Sequence, residues 1–298
     1  MKNIIIIVTA VAISVATLQC GSSSSSTSGT GSAKSNIGAV VSNWKIGIQT
    51  STFRMFTLQE AIAKADSAGV KNIEAFWGQR LSRDLNYTFG IRLSQSGRAA
   101  LKDMLKSKGI SMTAMGVISP RSREEWVQAF ELAKEFGLSY ITSEPRKDLW
   151  DMIDSLAGNY RIRVAIHEHG RPNPYWHPDS VLAAIKNHPN LACCADLGHW
   201  ARSGLDPVDC LKKLEGHVIG VHLKDIATFN DLKAADVPVG KGVINYPAVF
   251  DELARQRFSG MLSIEQESNW YASLPDVINT VKYYNSQVSR LSTAKASE

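Results

Sequence analysis

Short apolar runs alternate with amphipathic stretches along the chain from Lys45 onward. The apolar runs have the length of strands, and the stretches between them repeat apolar residues with the period of a helix. Eight runs predict strands, at 45–49, 72–76, 110–116, 138–143, 163–167, 191–196, 217–223 and 260–265. Because parallel strands need long crossover connections, which helices provide, this alternation predicts a parallel sheet.

The helix boundaries carry recognisable signals. Thr57 with Glu60, and Ser122 with Glu125, have the spacing of capping boxes, in which side chains satisfy free backbone N–H groups at the helix start. Helix ends are expected at glycines that adopt the left-handed conformation, namely Gly69, Gly109 and Gly137. Eight strand–helix units over about 245 residues match a single (β/α)8 TIM barrel. A doubly wound open sheet is the alternative, but no glycine-rich phosphate loop follows the first strand.

The N-terminal segment has the pattern of an export signal. Residues 1–20 carry a basic start, an apolar core and a final cysteine, Cys20, which predicts a lipoprotein-type signal peptide with Cys20 as the lipidation site. A plain cleaved signal and a membrane anchor are the alternatives. We predict a disordered Ser/Gly/Thr linker at 21–43, the barrel at 44–290 and a C-terminal tail at 291–298. The expected location is the bacterial periplasm, or the membrane through the lipid anchor alone.

Composition and charge narrow the function classes. The 298 residues are 44% hydrophobic and 20% charged, which excludes a fibrous or wholly unfolded chain. The formal net charge of +5 gives little support to a nucleic-acid partner, for which a clustered basic stripe is expected. All seven histidines lie between His167 and His222, a region that spans the fifth to seventh predicted strands.

Polar residues mark the carboxyl ends of the predicted strands, where a (β/α)8 barrel has its active site. These residues are Glu74, Glu144, His167, His169, Asp196, His222 and Glu265. Because side chains alternate along a strand, His167 and His169 face the interior while Glu168 points away. The same alternation sends His222, Lys224 and Glu265 inward.

Charged groups at these positions are costly to bury unless they are paired or bind a metal. Two or three carboxylates with a histidine suit one divalent metal ion, Mn²⁺, Mg²⁺, Co²⁺ or Zn²⁺. Unrelated solvated residues at the strand ends, or histidines satisfied by backbone hydrogen bonds, are the alternative interpretation.

Five segments in order resemble the xylose isomerase-like TIM barrel superfamily, and most closely bacterial proteins of the sugar phosphate isomerase/epimerase type. They are IHEHG (166–170), DLGHWARSG (196–204), HLKD (222–225), VPVGKGVIN (237–245) and SIEQE (263–267). The resemblance implies that Asp196, His222 and Glu265 are metal ligands. It also implies that His199 binds substrate and that Lys224 lies where a polar residue reaches the substrate.

One position departs from that family. Sugar epimerases of the superfamily usually supply a glutamate from the fifth strand as ligand and acid/base, whereas this chain has His167 there and Glu168 next to it. We predict that Glu144 completes the metal set and that His167 lies close to the metal or the substrate. The expected catalytic residues are therefore Glu265, Glu144 and His167. Further substrate-binding residues are expected at His169, Glu74 and Trp200.

A divalent ion beside a carbonyl acidifies the neighbouring C–H, which a glutamate or histidine can then deprotonate. The primary interpretation is a metal-dependent isomerase or epimerase acting on a sugar or keto-sugar in the cell envelope. A lyase that cleaves 3-keto glycosides by β-elimination is the first alternative, and a non-catalytic carbohydrate-binding lipoprotein is the second. The expected partner is a small-molecule carbohydrate and not a nucleic acid, and the sequence predicts no oligomeric state.

Overall fold

The computed structural model describes residues 37–293, and eight of its strands close into a parallel barrel. The barrel order is β1-β2-β3-β4-β5-β6-β7-β10, with β10 pairing back to β1. The strands are β1 (Lys45–Gln49), β2 (Asn72–Phe76), β3 (Ser111–Ile118), β4 (Tyr140–Ser143), β5 (Arg163–His167), β6 (Leu191–Asp196), β7 (Val218–Leu223) and β10 (Met261–Ile264). The prediction of a single (β/α)8 barrel is confirmed, and the open sheet is excluded for this part of the chain.

Ten helices are described. They are α1 (Ile37–Ser42), α2 (Leu58–Ser67), α3 (Gln95–Lys108), α4 (Arg123–Phe136), α5 (Trp150–Tyr160), α6 (Pro178–Ile185), α7 (Leu197–Arg202), α8 (Pro207–Lys213), α9 (Tyr246–Arg255) and α10 (Leu274–Thr293). Short 3-10 helices lie at Thr50–Phe53 and Lys147–Leu149. Within residues 37–293, no helix is both long and apolar enough to cross a membrane.

The two ends of the domain lie slightly outside the predicted boundaries. Helix α1 falls in the range 21–43 that the sequence assigns to a linker, and its Val41 is buried in the core. Helix α10 continues past residue 290, where Leu291 is also buried. The segments predicted as a signal peptide (1–20, with Cys20) and, for the most part, as a linker (21–43) lie outside the described residues.

The local signals explain why the helices begin and end where they do. The Thr57 hydroxyl accepts from the backbone N–H of Glu60, and the Glu60 carboxylate accepts from that of Thr57, as expected for a capping box. Ser122 caps α4 through the N–H of Glu125. Gly109 and Gly137 end α3 and α4 with φ values of 59° and 68°.

The barrel interior has an apolar layer below a polar one. The apolar layer is a separate cluster of Ala114, Tyr140, Ala165, Cys194 and Met261. Above it, the strand register places His222 beside Asp196 of β6 and Ser263 of β10. The main hydrophobic core lies outside the barrel, between the strands and the surrounding helices. The polar side chains at the carboxyl ends are therefore held on a rigid apolar base.

The long loop after β7 is organised by one carboxylate. It contains a small antiparallel hairpin of β8 (Asp225–Ile226) and β9 (Asp236–Val237), which the sequence did not predict. The Asp225 carboxylate accepts hydrogen bonds from four backbone N–H groups, those of Ile226, Gly240, Gly242 and Ile244. A Cβ atom on Gly242 would lie 2.2 Å from Asp225 Oδ1, so this approach requires glycine.

We predict that Asp225→Ala destabilises the fold by about 2–4 kcal/mol, because it leaves buried N–H groups without an acceptor. Chemical denaturation measures the free energy of unfolding. Asp231→Ala is the matched control, since the carboxylate of the exposed Asp231 accepts from a single described group, the N–H of Lys233 in the same loop. Equal stabilities for the two variants would contradict the role of Asp225.

Candidate metal centre

Four potential ligands converge at the carboxyl end of the barrel. His167, Asp196, His222 and Glu265 stand at the ends of β5, β6, β7 and β10, which are neighbours in the barrel. All four are buried, and each offers one ligand atom within 4.8 Å of the others. Asp196 Oδ2 lies 3.4 Å from His167 Nε2 and 3.6 Å from His222 Nδ1, which lies 2.9 Å from Glu265 Oε2.

Each of the two histidines is oriented by a carboxylate. His222 Nε2 lies 3.0 Å from Glu74 Oε2, and His167 Nδ1 lies 3.0 Å from Glu144 Oε1. These hydrogen bonds leave His222 Nδ1 and His167 Nε2 directed at the centre. Carboxylate–histidine pairs of this kind fix the ring orientation and the tautomer of metal-binding histidines.

The two carboxylate ligands are oriented in the same way. Asp196 caps helix α7, where its Oδ1 accepts from the backbone N–H of His199 at 2.9 Å. Glu265 Oε1 accepts from the Ser51 hydroxyl at 2.9 Å. The second oxygen of each carboxylate remains directed at the centre.

The four remaining atoms fit a divalent cation. Among the described residues, His167 Nε2, Asp196 Oδ2, His222 Nδ1 and Glu265 Oε2 are buried and have no hydrogen-bond partner of acceptable geometry. Buried polar groups are rarely left without partners. Two imidazole nitrogens and two carboxylate oxygens form a donor set that suits zinc and neighbouring transition metals. These residues would hold the metal.

A lysine lies against this cluster. Lys224 Nζ is 3.0 Å from Asp196 Oδ2, 3.1 Å from Glu265 Oε2 and 2.9 Å from Glu267 Oε2. Burial alone would lower the pKa of Lys224, but the three carboxylates outweigh it and hold that pKa well above the usual value. Burial would likewise raise the pKa of Asp196, but the Lys224 ammonium and His199 hold it well below the usual range.

Residues 62–284 match the family described as xylose isomerase-like TIM barrel. The chain belongs to this family. Curated relatives are inosose dehydratases. The protein from Mesomycoplasma hyopneumoniae (strain 7448) is 36% identical over 89 residues, which cover 25% of this chain and 30% of that protein. The protein from Clostridium botulinum (strain Alaska E43 / Type E3) is 24% identical over 288 residues, covering 85% of this chain and 94% of that protein.

Solved structures show the same fold. An uncharacterized protein from Parabacteroides distasonis is 34% identical with a TM-score of 0.67, covering 82% of this chain and 99% of that one. The probable 3-DHS dehydratase AsbF from Bacillus anthracis is 20% identical with a TM-score of 0.64, covering 81% and 98%. The IolI protein, solved with a bound zinc atom, is 18% identical with a TM-score of 0.68, covering 83% and 98%.

In this xylose isomerase-like barrel, His167 and not Glu144 takes the fourth place among the candidate ligands. The sequence predicts Glu144 at this place, with His167 close to the metal or the substrate. Glu144 lies outside the group of four candidate ligands. Its Oε1 contacts His167 and His169, and its Oε2 accepts from Asn173 Nδ2 at 2.8 Å. It is thus part of an outer group of Glu144, His167 and His169.

The glutamate next to His167 points away from the barrel interior, as the side-chain alternation indicates. Glu168 is fully buried and accepts from the Cys193 thiol at 3.3 Å. Burial raises the pKa of its carboxyl well above the usual value.

Three residues expected at the substrate are enclosed instead. Glu74 is fully buried between His222 and Ser263. Trp200 is fully buried in the outer core, because helix α7 begins directly after Asp196 and the strand alternation no longer applies. The Lys224 side chain is enclosed by three carboxylates. His199 lies beside it, 3.2 Å from Lys224 Nζ, and only 9% of its side chain is exposed.

One member of the site was missed by sequence reasoning. Glu267 contacts Lys224 at 2.9 Å and Arg202 at 3.2 Å, and 23% of its side chain is exposed. Its pKa is lowered to about 2, chiefly by the Lys224 ammonium. The segment SIEQE already contained the signal. Glu267 lies two residues after Glu265, and side chains two residues apart along an extended chain point to the same side.

We predict that Glu144→Gln weakens binding of Zn²⁺ or Mn²⁺ by about 10- to 100-fold, because it removes the carboxylate that orients His167. Isothermal titration calorimetry measures the affinity. Glu168→Gln is the matched control and leaves the affinity within about twofold. A larger loss in Glu168→Gln than in Glu144→Gln would contradict this arrangement.

Metal binding is expected to release protons. Burial would lower the pKa of His167, but Asp196 and Glu144 outweigh it and raise that pKa to about 9. A metal binds only the neutral ring, so the affinity should rise by at least about tenfold per pH unit between pH 6.5 and 8. Calorimetry in buffers of different ionisation enthalpy counts the protons. A pH-independent affinity would contradict the prediction.

Proposed function

We propose that the chain is a divalent-metal-dependent lyase, which eliminates a β-substituent next to the carbonyl of a keto-sugar or keto-cyclitol. The observation that carries this proposal is the buried His167–Asp196–His222–Glu265 set, whose four central atoms lack a hydrogen bond of acceptable geometry. The curated relatives support elimination over isomerisation, because they are dehydratases. The proposal thus follows the first alternative from the sequence and not the isomerase or epimerase interpretation.

The metal, when bound, polarises the substrate carbonyl and makes the adjacent C–H more acidic. The two nitrogen and two oxygen donors favour zinc, cobalt or manganese over magnesium, and the zinc bound to the related IolI fold is consistent with this choice. The residues of this chain that orient the ligands, Glu74, Glu144 and Ser51, keep the site preorganised for substrate.

We propose that His169 is the base. Glu144 contacts Nδ1 of His169, so Nε2 is the ring nitrogen left for the substrate. The His169 side chain is 42% exposed, whereas the His167 side chain is 1% exposed. A carboxylate that orients a histidine and stabilises its protonated form is the arrangement of many acid–base pairs.

The proposed elimination moves one proton, which His169 takes from the substrate and returns to the leaving group. His169 Nε2 takes the proton from the carbon next to the carbonyl, a carbon–carbon double bond forms, and the bond to the leaving oxygen breaks. The imidazolium of His169 returns its proton to that oxygen, so water or an alcohol departs. Lys224 and Glu267 form an ion pair that remains in the wall of the site.

We also propose that the enzyme works in the cell envelope on unphosphorylated carbohydrate. The support is the export signal predicted at 1–20 and the lack of a glycine-rich anion loop after the first strand. A lipid on Cys20 would supply the only membrane attachment proposed.

The expected result is metal-dependent loss of water from inosose, or of an alcohol from a 3-keto-glucoside, by the purified protein loaded with Zn²⁺, Co²⁺ or Mn²⁺. Proton NMR identifies the unsaturated product. We predict that Asp196→Asn abolishes measurable turnover and that His169→Ala lowers kcat by about 10²- to 10⁴-fold. His217→Ala at the amino end of β7 is the matched histidine control and keeps wild-type activity.

Two outcomes would contradict the proposal. One is interconversion of sugars with retention of every substituent, which would favour an isomerase or epimerase. The other is turnover of phosphorylated sugars alone. Metal binding without turnover of any of these compounds would favour the non-catalytic carbohydrate-binding alternative.

A further inference from the structure

A cavity of about 600 Å³ opens at the carboxyl ends of β2 and β3, at the same end of the barrel as the candidate metal cluster. Its walls come from 77–78, 86–94 and 118–120, with Glu125 of helix α4. None of the four candidate metal ligands lines it. The volume is within the range of small-molecule sites.

One wall of this cavity is aromatic. The half-buried Trp77 packs edge-on against Phe89, with ring centroids 6.1 Å apart and an interplanar angle of 80°. Gly90 faces the same ring, and a Cβ atom there would lie 3.5 Å from Trp77 Cε2. The absence of a side chain at Gly90 therefore leaves space beside the indole.

The aromatic wall is held by regular hydrogen bonds. Gly78 N–H donates to the Phe89 carbonyl at 2.9 Å, and Phe89 N–H donates to the Gln79 carbonyl at 2.9 Å. Arg80 and Thr88 continue this antiparallel pairing. The segment after β2 is thus a paired ribbon, and the cavity it encloses is preformed.

The opposite wall is joined to the proposed base. Glu144 N–H donates to the Ile118 carbonyl at 3.3 Å, and the Ser119 hydroxyl donates to the Glu144 carbonyl at 2.9 Å. Ile118 and Ser119 line the cavity, and the Glu144 carboxylate orients His169. The candidate metal ligands stand on β5, β6, β7 and β10, and the cavity lies on the β2–β3 side of the same rim.

The charges of the lining favour a neutral occupant. Arg92 and Glu125 are its only ionisable side chains other than Tyr87, and they carry opposite charges. This lining offers no cluster of positive charge for a phosphate. The aromatic Trp77 and Phe89 and the aliphatic residues at 91, 93 and 118 give part of the lining an apolar surface that suits a flat apolar ring.

We propose that this cavity binds an apolar ring carried by the leaving group, so that the preferred substrate is a keto-glycoside with an aromatic aglycone. The inference rests on the proposed lyase function and identifies its substrate class. Elimination would then release a phenol-type alcohol into the Trp77 cavity, while the keto-sugar stays at the metal centre.

The test compares 4-nitrophenyl and methyl 3-keto-β-glucosides as substrates of the metal-loaded protein. The wild type should prefer the aryl glycoside, and Trp77→Ala and Gly90→Val should each reduce the ratio of the two kcat/KM values by about 10- to 100-fold. Trp176→Ala is the matched control, because Trp176 is a half-buried tryptophan in the loop after β5, outside the cavity. That variant should keep the wild-type ratio.

A readout without turnover separates this inference from the proposed function. Saturation-transfer NMR with phenyl β-glucoside, which carries no keto group, should show contact of the aryl protons with the wild type and loss of that contact in Trp77→Ala. Turnover of both keto-glucosides with equal kcat/KM, together with no aryl contact, would overturn the cavity assignment and leave the lyase function intact. Aryl contact that depends on Trp77, without turnover of either substrate, would support the cavity and count against the lyase.

Discussion

The site depends on four buried ligand atoms that have no hydrogen-bond partner of acceptable geometry among the described residues. A hydrogen bond fixes the second polar atom of each of these side chains, which belong to His167, Asp196, His222 and Glu265. The side chains therefore cannot rotate to give the first atom a hydrogen bond. Without a cation, the two carboxylates repel each other in a medium of low polarity, and the Lys224 ammonium supplies the nearest compensation. A divalent ion would neutralise both carboxylates and satisfy both imidazoles, and the surrounding hydrogen bonds hold the four atoms in place for it.

The barrel makes such an arrangement possible because its strands are parallel and closed. Ligands from β5, β6, β7 and β10 stand on neighbouring strands with their carboxyl ends at one rim, so no ligand has to cross the interior. The apolar layer of Tyr140, Cys194 and Met261 beneath them excludes water from below. The remaining rim, at β1 to β4, carries Glu74 and Glu144 as orienting groups and leaves room for the substrate.

Periodicity was sufficient to predict the fold and the inward direction of the ligands. Strand alternation placed His167, His222 and Glu265 inside and turned Glu168 outward, because the pleat has a period of two. It could not choose between Glu144 and His167, since both face inward and the choice depends on how far each strand extends above the rim. Trp200 was expected at the substrate because it follows a strand end, but Asp196 caps a helix there and the indole is buried in the outer core. Glu267 was missed because β10 ends at Ile264, three residues earlier. The alternation of side-chain directions nevertheless continues into the loop as far as Glu267.

The histidine in the fifth strand has a consequence for where proton transfer takes place. With two neutral imidazoles and two carboxylates, the ligand set balances a divalent ion, and Lys224 with Glu267 forms a second neutral pair. A glutamate in place of His167 would add a third negative charge at the metal and could itself serve as the base. In the proposed mechanism that function lies outside the ligands, where Glu144 and the half-exposed His169 form a carboxylate–imidazole pair with one ring nitrogen left for substrate. With a histidine at this place in the fifth strand, the proposed base is His169, which lies outside the ligand set and contacts Glu144, whose backbone is hydrogen-bonded to Ile118 and Ser119 of the cavity wall.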